Sequence, residues 1–63
     1  MFSVEEYLKR RMGLRITVST KKITDEASVQ GYKSDTVMRC IMSLVARNEM
    51  QELNQGKVLK RIR

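Results

Sequence analysis

The chain has 63 residues and a net charge of +6, from thirteen Lys/Arg against seven Asp/Glu, with one Cys and no His, Pro or Trp. A chain this short buries only about 60% of its unfolded surface, which leaves no scaffold for a catalytic cleft and predicts one small domain over residues 1–63. The missing His removes the commonest general base and the commonest zinc ligand, a lone Cys makes no internal disulfide, and no acids pair for acid–base chemistry, so no enzyme activity, metal or cofactor is expected.

No apolar run approaches the roughly 18–20 residues of a membrane span, and Glu5 and Glu6 stand where a secretory leader would be basic and then apolar. The positive charge is uneven. Residues 9–22 carry six bases and no acid (Lys9, Arg10, Arg11, Arg15, Lys21, Lys22), and residues 57–63 carry four bases and no acid. Residues 23–56 hold three bases against five acids. A slightly acidic centre therefore lies between two basic flanks.

The first helix is predicted over about residues 3–12. Ser3 and Glu6 have the spacing of a capping box, Phe2 and Tyr7 stand as a hydrophobic staple, and Val4, Leu8 and Met12 recur at helical spacing. Gly13 is the expected stop. Leu14 to Ser19 then alternates, with Leu14, Ile16 and Val18 on one face, which predicts a half-buried strand. Ser19 or Thr20 caps a short second helix over about 20–29, where Ile23 and Ala27 share a face, and Gly31 ends it in a tight turn.

Tyr32 follows as an apolar plug, with Ser34 or Asp35 as the cap of a third helix. Val37, Cys40, Ile41, Leu44 and Val45 form its core-facing stripe, which makes Cys40 a core residue rather than a reactive thiol. Asn48 and Glu49 release the chain. Met50–Leu53 and Lys57–Ile62 flank Asn54-Gln55-Gly56, a hairpin turn with glycine where a positive φ is needed. The order α-β-α-α-β-β predicts an α+β fold, the winged helix-turn-helix. A ribbon-helix-helix dimer using Arg15–Ser19 as its ribbon is the alternative, with the closing Gly-Lys-Val-Leu-Lys-Arg-Ile left over.

In a DNA-reading protein of this type the helix beginning near Ser34 enters the major groove. Arg39 suits a phosphate or a guanine, whereas Asp35 repels phosphates, and Met38 and Met42 carry no hydrogen-bond code. Met38 and Met42 lie four apart on the exposed face beside Ala46, so Met38, Arg39 and Met42 are the candidate partner-binding residues. Lys9, Arg10 and Arg11 match the negative end of their helix and equally suit a phosphate backbone. With Lys57, Lys60 and Arg61 on the wing strand, they are the candidate DNA-backbone contacts, for nonspecific binding only.

The run Arg10-Arg11, Val18-Ser19, Ile23, Gln30-Gly31-Tyr32, Arg47-Asn48-Glu49-Met50-Gln51 and Gln55-Gly56-Lys57-Val58-Leu59-Lys60-Arg61-Ile62 resembles a known family. It is similar to the extreme C-terminal region of the fifth subunit of the eukaryotic minichromosome-maintenance (MCM) replicative helicases. The resemblance covers about residues 10–63, and Glu49-x-Gln51 with Gln55-x-Lys57-Val58-Leu59-x-Arg61 is its most specific part. The chain departs from that pattern in the placement of Gly13 and in Glu52-Leu53-Asn54, where the family's wing is more basic. The resemblance implies a non-catalytic winged helix appended to an ATPase. Its implied partners are the other MCM subunits and the origin-recognition and loading machinery, in the nucleus, with the isolated domain a monomer. A stand-alone winged helix-turn-helix transcription regulator, reading DNA with Ser34–Ser43, is the competing expectation.

Overall fold

The computed structural model describes residues 3–63, as three helices and three strands: α1 (Val4–Arg11), β1 (Thr17–Ser19), α2 (Thr20–Val29), α3 (Ser34–Ala46), β2 (Met50–Leu53) and β3 (Val58–Arg61). The sheet is antiparallel throughout in the order β1-β3-β2, with Val18 opposite Leu59 and Glu52 opposite Leu59 on the other side. This is the α+β winged-helix order that the sequence predicts. Because β1 pairs with β3 of its own chain, the ribbon-helix-helix alternative falls away.

Leu8 and Met12 of the first helical segment, Ile23 and Ala27 of α2, Val37, Ile41 and Leu44 of α3, and Met50 and Leu59 of the sheet form one buried core. Cys40 and Val45 are half-buried at its margin, completing the predicted α3 stripe. Tyr32 packs on the core with its ring 4.9 Å from that of Tyr7, a tilted aromatic pair that ties the α2–α3 turn to α1.

The helix ends have local causes. Ser3 Oγ accepts from the Glu6 N–H at α1, and Ser19 Oγ accepts from the Lys22 N–H at α2, as expected of Ser at these positions. Phe2, the expected partner of Tyr7 in a staple, lies outside the described residues. After α2, Gly31 takes φ +98°, the Gly31 N–H donates to Ser28 O and the Tyr32 N–H to Ala27 O. This is a Schellman ending in which glycine relieves the backbone. Helix α3 ends in the same way with Asn48 at φ +60°, its N–H donating to Val45 O and that of Glu49 to Leu44 O.

Three local expectations need correction. The cap of α3 is Lys33, without a side-chain cap bond, and Ser34 and Asp35 are already helical. Helix α1 ends because Met12 turns extended, not through a left-handed Gly13. Most informative is β1, which begins only at Thr17, leaving Leu14 and Ile16 56% and 52% exposed. The Ile16 N–H donates to Gly13 O, with Arg15 at φ +65°, the pattern of a type II turn. Arg15 N–H donates to Arg61 O while Arg61 N–H donates to Ile16 O, so two residues face one in a bulge. The alternation of Leu14, Ile16 and Val18 is real, but the turn interrupts it.

Candidate interaction surfaces

Helix α3 buries Val37, Ile41 and Leu44 and turns the opposite side to solvent. On that side Met38 is 41% exposed and Met42 63% exposed, with Arg39, Ser43 and Ala46 also exposed. The Thr24 hydroxyl of α2, which donates to Thr20 O, lies 3.9 Å from the Met38 sulfur. Met42 is the more exposed of the two. The structure thus brings the three candidate partner-binding residues, Met38, Arg39 and Met42, onto one open helix face. Flexible thioethers there offer adaptable apolar contact.

The six candidate DNA-backbone residues divide. Lys9 Nζ lies 2.6 Å from Glu49 Oε1 and 3.7 Å from Glu5, and Arg47 bridges the same two carboxylates, contacting Glu5 and lying 2.9 Å from Glu49 Oε2. Two cations and two anions close a ring that fastens α1 to the turn after α3. The Glu49 carboxyl is held below its ordinary range, first by the Lys9 hydrogen bond and then by the charges of Arg47, Lys9 and Arg63. Arg11 donates to both oxygens of Glu26 at 2.6 and 3.0 Å, and that hydrogen bonding holds the Glu26 carboxyl low. The pair lines an open cleft between α1 and α2, with Tyr7, Val29 and Gln30.

Arg61 is held by backbone. Its Nη1 donates to Lys9 O at 2.8 Å and Met12 O at 3.0 Å, and its Nε to Arg63 O at 2.8 Å. Lys9, Arg11 and Arg61 are therefore engaged within the chain. Arg10 and Lys57 are exposed, and Lys60 stands between Thr17 and Gln51 on the sheet face away from Leu59.

Two lysines join this set that sequence reasoning did not single out. The Thr20 N–H donates to Lys57 O at 2.9 Å, and its hydroxyl donates to Gly56 O at 2.7 Å, which fastens the wing to the start of α2. That brings Lys57 beside the first turn of α2, where Lys21 and Lys22 are exposed. A signal was there to read. Two cations in the first turn of a helix oppose its macrodipole, a placement that local stability does not favour.

The single thiol, Cys40, is pushed above its ordinary range chiefly by burial. Among the described residues no three His, Cys, Asp or Glu side chains converge as a metal site, and no helix is long and apolar enough to cross a membrane.

Comparison with known proteins agrees with the geometry. Residues 3–61 match the model of a family described as "MCM5, C-terminal domain". The chain is 37% identical over 59 residues to the DNA replication licensing factor Mcm5 of Drosophila melanogaster, covering 94% of this chain and 8% of that relative. The chain thus spans under a tenth of the relative's length. With a family match over nearly its whole length on a winged-helix fold, this chain belongs to the MCM5 C-terminal domain family.

Proposed function

We propose that the chain is a non-catalytic interaction module of a hexameric replication helicase subunit, acting in origin licensing and helicase loading through protein contacts. Kinship with a replication licensing factor supports the further reading of an ATP-driven parent, a place in the nucleus and a set of partners. Those partners are the other MCM subunits and the origin-recognition and loading machinery. The observation that carries the reading is the character of α3. The helix that would read bases presents Met38 and Met42 to solvent, with Arg39 as the one cation between them. Thioethers have no hydrogen-bond code for base edges but fit an apolar protein surface.

The cations support at most weak contact with a phosphate backbone. Lys9, Arg11 and Arg61 are engaged internally, so the exposed Lys57, with Lys60, Lys21 and Lys22, is the main support for such contact. Binding of this kind is nonspecific and salt-sensitive.

Substituting Met38→Ser together with Met42→Ser in the full-length subunit tests the reading. Folding should be retained, because both side chains are exposed, while docking of the subunit onto the loading machinery weakens. Unchanged docking by the folded double variant would remove α3 as the contact surface.

A further inference from the structure

A second unpartnered surface lies on the sheet, away from the α3 methionines. Among the described residues β1 is an edge strand, hydrogen-bonded to β3 alone. The bonds from Thr20 N–H to Lys57 O and from Arg61 N–H to Ile16 O fall on the same register that sets Val18 opposite Leu59. Pairs alternate along an antiparallel ladder, so the intervening residues turn their backbone groups the other way. The N–H and C=O of Thr17 and the N–H of Ser19 thus face the open edge. An edge of this kind is a template for another strand.

The surroundings say what that strand must carry. The bulge at Arg15–Ile16 limits pairing to about three residues, so main-chain bonds need help from side chains. Leu14 and Ile16, more than half exposed, supply an apolar contact at the start of the edge. Arg15 stands between them, Lys60 neighbours Thr17 on the solvent side of the sheet, and Lys21 and Lys22 follow the strand. Residues 9–22 contain no acid at all. A second copy of the chain is a poor occupant, since an edge-to-edge dimer would set these cations against one another.

We infer that the β1 edge docks an extended segment of a partner protein in which acidic and apolar residues alternate. Its apolar side chains lie against Leu14 and Ile16, and its carboxylates face Arg15, Lys60 and Lys21.

The test is an NMR titration of the isotope-labelled chain with a capped synthetic peptide of alternating glutamate and valine. The amides of Thr17, Val18 and Ser19 should shift most, with those of α3 unmoved. A lysine–valine peptide should bind at least about tenfold more weakly. The glutamate–valine peptide N-methylated on alternate residues should lose binding, because it cannot donate to the edge. Thr17→Pro removes the outward N–H without touching the β1–β3 ladder and should weaken binding by about tenfold or more. If that variant unfolds, the N-methylated peptide still decides. The Met38→Ser, Met42→Ser variant should bind as the parent does. Shifts centred on α3 or the wing tip, equal binding of the lysine peptide, no response at millimolar peptide, or self-association of the chain through the β1 edge would each overturn the assignment.

Discussion

The Arg61 guanidinium, carried on the last residue of β3, donates to the Met12 carbonyl at the end of α1 at 3.0 Å. It also donates to Lys9 O, so one wing-strand cation satisfies two carbonyls that the helix end leaves open and clamps α1 to the sheet. Arg61→Ala should therefore lower the stability of the chain by about 1–3 kcal/mol, measured by urea unfolding. Lysine at this position should rescue little, since it lacks the planar fork of donors. Any loss of DNA binding by Arg61→Ala should parallel the loss of fold, whereas Lys57→Ala should reduce DNA binding at unchanged stability.

The ion pairs give the stability a pH dependence of known sign. Glu26 is held below its ordinary value of 4.5 first by the Arg11 hydrogen bond, and Glu49 first by that of Lys9. A carboxyl with a lowered native pKa binds its proton more readily in the unfolded chain, so stability rises with pH across that window. The contribution is complete above the ordinary carboxylate range and is lost as the pH falls through the lower native values. Urea midpoints measured from neutral pH downward should fall on the acid side, and Glu49→Gln should flatten that slope. Added salt should diminish it as well, because these groups sit at the surface.

Arg15 occupies φ +65° in the turn before β1, where an L side chain is strained. Glycine relieves that strain but loses more chain entropy on folding, and the net effect of Arg15→Gly should be a stabilisation of about 0.5 kcal/mol. Arg15→Val should destabilise the chain, because a branched side chain fits this conformation worst. Thermal midpoints of the three proteins should rank Gly above Arg above Val.

Cys40 sits half-buried on α3, its thiol pushed up mainly by desolvation, with the charge of Glu5 in the same direction. The thiolate is the reactive form, so a disulfide reagent at mildly alkaline pH should modify the folded chain much more slowly than the urea-unfolded chain. Equal rates would contradict the burial of this side chain.

How much was legible follows from the range of the interactions. Patterns spanning a few residues read well: the Ser3 and Ser19 caps, the Val37–Ile41–Leu44 stripe, Gly31 at the end of α2 and the Asn54-Gln55-Gly56 hairpin all appear in the fold. The β1 turn did not read, because Arg15 carries no glycine-like mark of a left-handed residue and Leu14, Ile16 and Val18 alternate as a strand would. At the surface, the exposure of Met38 and Met42 followed from helical phase. The internal engagement of Lys9 by Glu49, forty residues away, and of Arg61 by α1 is tertiary, and no local spacing encodes it. Basic residues that look equivalent in the sequence are therefore unequal in the fold.

The central claim, that this winged helix works through protein contact and does not read bases, is tested most directly by titrating a labelled DNA duplex with the isolated chain over a range of salt concentrations. The account predicts weak binding at physiological salt, with Kd no tighter than about micromolar, no sequence preference and a steep loss as salt rises. Nanomolar, sequence-specific binding that weakens on Met38→Ser and Met42→Ser would contradict it.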